Sequence, residues 1–390
     1  MKDKISMTVR EIVPSVIREM SLRAMAYDNV ISLGIGEPDF DTPAEICREA
    51  LQDALAGHTH YTPSRGDEEL VKALLEYIKK NRKIELSPAQ LTVTHGGMGG
   101  LIAGLRAILD PGEEVILIEP HFPSYRAQVI FAGGTPVLVA TSFQDRFVVR
   151  PERVARAISP RTKAIIINSP NNPTGCVIPG DVLDELARIA VQNDLMVISD
   201  EVYDRLIFEG PGESISTRPG MAERTMVVNS FSKAFAMTGW RIGYCYGPEW
   251  LINEVMKVAT YFTSCPSNVG QRAALAALRT DREQFERMAQ EFKDRCSFAY
   301  DRLREMPGVK VHPPSGSFYL FPNLEKVTDD TTQFALGLLD REQIVVIPGD
   351  AFGPSGKPCI RISCTVERDL LGKALDRIER FLDSYGERSS

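Results

Sequence analysis

The sequence predicts an α/β fold, a mostly parallel sheet sandwiched by helices, with a smaller α+β domain beside it. Three observations predict it. Between about residues 90 and 245, short apolar runs alternate with helical patterns, the rhythm of parallel strands joined by crossover helices. From about residue 285 the pattern changes to a long charged helix followed by short strand-like segments. The length of 390 residues, with 43% hydrophobic and 25% charged residues, is enough for two globular units.

Near the N-terminus, Val9, Ile12, Val13, Val16, Ile17 and Met20 recur at helical spacing, which predicts an amphipathic helix packed on the body. Asp3, Glu11 and Glu19 count against a transit peptide, and no signal-peptide run or ~18-residue apolar span is present. The strands of the main sheet are then read from "EVILIEP", "TPVLVA", "KAIIINSP", "LMVISDE" and "TMVVNS", with the helix "DVLDELARIAVQND" between two of them. Beyond them come "REQFERMAQEFKDRCSFAYDRLREM", "SGSFYLFPN", a further helix, "IVVIPGDAF" and "CIRISCT". The division expected is a large domain over residues 41–284 and a small one over residues 1–40 and 285–390, with the terminal "GERSS" frayed.

The balance of 45 basic against 52 acidic side chains, net −7 and without blocks of like charge, offers no footprint for nucleic acid. Seven cysteines without a CxxC pair argue against a disulfide framework or structural zinc and suit a reducing cytoplasm. His58 and His60 lack companion ligands, so no metal site is expected.

In open α/β sheets ligands lie beyond the carboxyl ends of the strands. Three strand ends here are followed by "NSPNNPTG", "SDEVY" and "NSFSK", which deliver Asn172, Asp200, Tyr203, Ser230 and Lys233 to one rim. A Schiff base to an aldehyde cofactor is one of the few roles that demands lysine rather than arginine, and pyridoxal phosphate is the aldehyde that fits. That cofactor needs an amine, a carboxylate for its ring nitrogen, a donor for its phenolic oxygen and an anion site. Lys233 supplies the amine. Asp200 supplies the carboxylate, with a helix cap before "EVYDRL" as its alternative role. Ser230, Arg241 and the "THGGMGGL" loop around Gly97 and Met98 can make the anion site. The loop lacks the third spaced glycine of a dinucleotide fingerprint, and "GPSGKP" lacks the spacing of a P-loop.

The stretch "SFSKAFAMTGWRIGY" strongly resembles the lysine signature of class I/II aminotransferases, the fold-type I pyridoxal phosphate enzymes that include bacterial and archaeal aspartate and aromatic aminotransferases. The likeness continues, in the family's order, through "ISLGIGEPDFDTP", "YTPSRGDEEL", "VTHGGMGGL", "PGEEVILIEPHFPSY", "NSPNNPTG", "SDEVY", "PSGSFYLFPN" and "PGDAFG…CIRIS". The resemblance implies the aspartate aminotransferase-like fold and assigns Lys233 to the cofactor aldehyde, Asp200 to the pyridine nitrogen, and Tyr203 with Asn172 to the phenolic oxygen. It implies phosphate contacts from Ser230, Arg241, the backbone at Gly97 and Met98, and Tyr61 of a second subunit, hence a homodimer with shared sites. Phe122 would stack on the ring, and Arg361, helped by the Gly36 backbone and Asn172, would grip the substrate's α-carboxylate. The activity implied is ping-pong transfer of an amino group from an L-amino acid to a 2-oxo acid, with 2-oxoglutarate the usual acceptor. Met98 stands where some dicarboxylate-selective relatives carry a basic residue, and "SFYLFPN", "HFPSY" and "ATYFTSCPSN" offer apolar surface, so aspartate, aromatic and broad specificity all remain open. Two alternatives use the same scaffold: β-elimination of sulfur amino acids, and a non-catalytic cofactor-sensing regulator. The chain offers neither spare length nor a basic stretch for a regulator's DNA-binding module.

Overall fold

A computed structural model describes residues 4–386; most of the "GERSS" terminus lies outside the described residues. A first two-residue strand, β1 (Ile31–Ser32), precedes the main sheet. The sheet is made of β2 (Leu91–Thr94), β3 (Glu114–Glu119), β4 (Thr135–Ala140), β5 (Thr162–Asn168), β6 (Met196–Asp200), β7 (Thr225–Ser230) and β8 (Gly243–Tyr246). Their order is β2-β8-β7-β6-β5-β3-β4, and every pairing is parallel except the two made by β8.

The five strands read from apolar runs are all present. β3, β5, β6, β7 and β8 are buried nearly throughout, because helices cover both faces, whereas the edge strand β4 is largely open to solvent on one side. Separate apolar clusters fill the two faces. One packs Leu101, Leu105, Val115, Ile166 and Val228 beneath the helix Gly96–Ile108, and another packs Ile165, Ile167, Leu183, Leu186 and Val197 beneath the helix Gly180–Gln192.

This topology decides what reaches the functional rim. β2, β3, β5, β6 and β7 end there, while β8 runs the other way and so starts there. Arg241, two residues before β8, is therefore brought beside the loops that follow β2 and β7.

A different apolar cluster unites the C-terminal third with the N-terminal segment. Leu33, Phe292, Phe318, Phe334, Ile347, Ile362 and Phe381 belong to it, and β1 pairs in parallel with β10 (Ile344–Val345). Beside that pair lies a three-stranded sheet in which β12 (Ile360–Ser363) is flanked by β11 (Ile347–Pro348) and β9 (Tyr319–Leu320). The helix Arg282–Glu305 matches the charged segment expected from about residue 285.

The N-terminal helix departs from expectation. It forms as two pieces, Met7–Glu11 and Val16–Ala24, and only Met20 of its apolar set is buried. Pro14 sits in the break: it has no N–H to donate and pushes the preceding residue toward extended backbone. Among the described residues no helix is long and apolar enough to cross a membrane.

Candidate active site

The strand ends and the segments packed on them enclose a cleft of about 320 Å³. Eleven of the twelve sequence-predicted site residues line it: Gly36, Gly97, Met98, Phe122, Asn172, Asp200, Tyr203, Ser230, Lys233, Arg241 and Arg361. Tyr61 does not; its side chain stands 88% exposed, outside this chain's own cleft.

Lys233 follows β7 in a one-turn helix, Phe231–Ala234, capped by Ser230. Its Nζ donates to the Gly36 carbonyl at 2.5 Å. Burial brings its pKa down to about 8, opposed by the nearby Glu37 carboxylate and reinforced by Arg361 and Arg241. An amine that is neutral in a useful fraction near neutral pH is a nucleophile, and one still able to take up a proton is a base.

Asp200 ends β6, and strand alternation separates it from Glu201. Glu201 is held by Ser199, Ser214 and Arg82, while Asp200 opens into the cleft. Tyr125 donates to Asp200 Oδ2 at 2.6 Å and the Val202 N–H to Oδ1 at 3.2 Å. Burial nonetheless raises the carboxyl to about 6. A protonated ring nitrogen beside it would favour the charged carboxylate over the proton that burial favours, so this residue suits pyridoxal phosphate.

The residues expected to make an anion site come together where the helix Gly96–Ile108 begins, beside Ser230 and Arg241. Ser230 Oγ donates to Ser232 Oγ at 2.9 Å, and Arg241 Nη1 reaches Thr238 O at 2.8 Å and Ser232 Oγ at 3.4 Å. Gly96 has φ +61°, and a Cβ there would lie 2.7 Å from Arg241 Nη2, so only glycine lets the guanidinium approach.

Arg361, on β12, is 1% exposed, and no carboxylate pairs with it among the described residues. Nη1 donates to Asn172 Oδ1 at 2.9 Å, Nη2 to the Gly34 carbonyl, and Nε has no partner. The guanidinium carbon lies over two rings, Tyr319 at 4.5 Å and Phe352 at 4.9 Å from their centres. A buried cation held without a counterion is built to receive an anion.

Three supporting residues escaped the sequence reading. Tyr125 secures Asp200. Asn168 accepts from the Asn172 N–H at 2.9 Å and donates to the Asp200 carbonyl at 3.0 Å. Ser232 joins Ser230 to Arg241. Asn168 and Ser232 lie inside "NSPNNPTG" and "SFSK", so their place after strand ends was the available signal; Tyr125, on the helix Ser124–Phe131, closes "HFPSY" soon after β3 and read only as aromatic surface.

A buried lysine, a carboxyl raised by burial, a cluster of donors at a helix N-terminus and an arginine without a counterion share one strand-end rim, a set that suits pyridoxal phosphate and an amino acid's carboxylate. The family described as aminotransferase class I and II matches residues 28–378, and the chain belongs to it. It is 40% identical over 373 residues to aromatic-amino-acid aminotransferase 2 of Thermococcus litoralis, covering 95% of this chain and 96% of that one. It is 42% identical over 373 residues to an aspartate aminotransferase of Pyrococcus abyssi, again covering 95% and 96%. The structure of Thermus thermophilus aspartate aminotransferase with maleate superposes with a TM-score of 0.92 at 38% identity, covering 97% and 99% of the two chains. The structure of an aromatic aminotransferase from Pyrococcus horikoshii gives 0.89 at 41% identity, covering 94% and 99%. The chain is a pyridoxal phosphate-dependent transaminase.

Proposed function

We propose that this transaminase moves the amino group of a broad set of L-amino acids, aromatic and aliphatic ones together with aspartate, onto a 2-oxo acid, 2-oxoglutarate serving as acceptor. The observation that carries the breadth is the cleft's lining. Its cations are Lys233, Arg241 and Arg361, each with a use already, and the remaining wall includes Ile17, Ile35, Met98, Leu101 and Phe122. With no further cation in this chain's wall to demand a distal carboxylate, apolar side chains are admitted, and such walls discriminate modestly. A distal carboxylate is accommodated at the mouth, where Ile35 is 44% and Met98 37% exposed.

The bound cofactor supplies an aldehyde and a ring that accepts the electron pair left at the substrate's Cα. Around it, Asp200 would hold the ring nitrogen protonated, Tyr203 and Asn172 would serve the phenolic oxygen, and Phe122 would stack on the ring. Ser230, Arg241 and the backbone at Gly97 and Met98 would hold the phosphate. Arg361 binds the α-carboxylate through two parallel N–H donors, assisted by Asn172 and the Gly36 backbone. Lys233 Nζ would hold the cofactor's aldehyde, and as a free amine it is the base placed to take the proton from Cα.

The same reading makes the enzyme a homodimer in which Tyr61 of the second copy completes each phosphate site. Exposed Leu51, Leu55, Tyr61, Tyr261 and Phe262 support it, since they are large apolar side chains that a partner surface would cover. We assign residues 41–284 to the large domain and residues 1–40 with 285–390 to the small one, supported by the β1–β10 pairing and the shared C-terminal core. Seven free cysteines favour the cytoplasm.

The test is a half-reaction screen: the yellow holoenzyme is mixed with single amino acids and loss of the visible band is followed. Aromatic donors converting at least as fast as aspartate support the reading. Conversion by dicarboxylates alone refutes it.

A further inference from the structure

We propose that Tyr319 is a positioning residue for transamination, its hydroxyl feeding Tyr203 and its ring carrying Arg361, so that one side chain ties the phenolic-oxygen donor to the carboxylate-binding arginine. The proposal rests on the roles given above to Tyr203 and Arg361.

The backbone places Tyr319 for both contacts. Strand β9 pairs antiparallel with β12 so that Tyr319 faces Ser363. Arg361, two residues along β12, is then Tyr319's diagonal neighbour on the same face of the sheet. That diagonal brings the guanidinium carbon to 4.5 Å from the ring centre, with the Phe352 ring at 4.9 Å.

The preceding turn is pinned from the large sheet's side. Ser317, at φ +58°, donates its N–H to Leu206 O at 2.7 Å, and Phe208 donates to Ser315 O at 2.8 Å. Tyr319 itself is 1% exposed.

Its hydroxyl lies 3.0 Å from the Tyr203 hydroxyl. The oxygen fits there because residue 36 is glycine: a Cβ at Gly36 would fall 1.7 Å from it. A phenol has one proton to give. When Tyr203 gives its proton to the phenolic oxygen in the cleft, the bond between the two phenols is made by Tyr319's proton. A hydroxyl that accepts a hydrogen bond is a stronger donor, so Tyr319 reinforces what Tyr203 offers. The charged groups facing the pair are Arg361 on β12, Asp200 at the end of β6 and Lys233 after β7.

Two variants of the holoenzyme separate the two halves. Tyr319→Phe keeps the ring and loses the hydroxyl. The pH midpoint of the bound cofactor's visible band should rise by about half a unit, with KM for the amino acid within about two-fold of wild type. Tyr319→Leu loses both. KM for the amino acid should rise about 10-fold, while KM for the matching amine, which has no carboxylate, stays near that of wild type. Should Tyr319→Leu fail to load cofactor, Tyr319→Met takes its place. A Tyr319→Phe midpoint within 0.1 unit of wild type (about the precision of such a titration) overturns the proposal, as does an equal rise in both KM values for Tyr319→Leu. A wild-type enzyme with no pH-dependent band, or no preference for the amino acid over the amine, would instead overturn the underlying roles of Tyr203 and Arg361.

Discussion

Replacing Arg361 by lysine tests how the substrate is gripped, because it keeps the charge and removes the geometry. In the structure two Nη atoms are aligned by Asn172 Oδ1 and the Gly34 carbonyl, and two rings hold the guanidinium plane. An ammonium is a point donor that cannot bond both carboxylate oxygens in parallel. Losing one charge-assisted hydrogen bond costs about 2 kcal/mol, and poorer seating between the rings costs about 1 kcal/mol more. Together these lower kcat/KM for an amino acid about 100-fold. The assay is single-turnover conversion of the holoenzyme by an amino acid and by the amine that lacks only its carboxylate. The variant should lose that factor on the amino acid and nearly nothing on the amine. A loss below about three-fold, or an equal loss on both, refutes the reasoning.

Asp200→Asn should load cofactor yet lose most of its turnover, because nothing then favours a protonated ring nitrogen; near-native kcat would refute this. Cofactor-free protein tests the same carboxyl by linkage. Its folded pKa, about 6, lies above the unfolded value of 3.8, so the native state holds a proton that the unfolded chain releases between those pH values. Stability from this group is therefore lost as pH rises from about 4 to about 6 and is absent above that range. Denaturant melts of wild type minus Asp200→Asn should show that downward slope, and parallel curves would refute it. For the shared site, mixing inactive Lys233→Ala with inactive Tyr61→Ala should restore activity through hybrid dimers; no recovery at any ratio would exclude a contribution from Tyr61 across subunits.

What the sequence showed of this site, and what it hid, follows from how each residue is placed. Asn172, Asp200, Ser230 and Lys233 were legible because each comes within a few residues of the end of a continuous apolar run, and parallel topology collects such ends on one rim. Arg241 was found by its distance from Lys233, although its real reason for being there, the reversed direction of β8, leaves no periodic trace. Tyr125, 75 residues from its partner Asp200, and Tyr319, 116 from Tyr203, were hidden because contacts between remote segments have no signature in spacing. Both looked like the apolar wall to which their rings do contribute. Gly36 was named for its backbone, and the structure adds the hydroxyl packed against its Cα. At the N-terminus the helical period was read correctly, but one proline outweighed it, and without a neighbouring face to cover Val9 and Val13 the apolar stripe stays exposed.

The central claim is that Lys233 carries the cofactor. Borohydride reduction of the cofactor-saturated enzyme followed by peptide mapping tests it directly. The account predicts one pyridoxyl group per chain, on the peptide containing Lys233, and neither label nor visible band in Lys233→Ala. A label on another lysine, or none despite saturating cofactor, contradicts it.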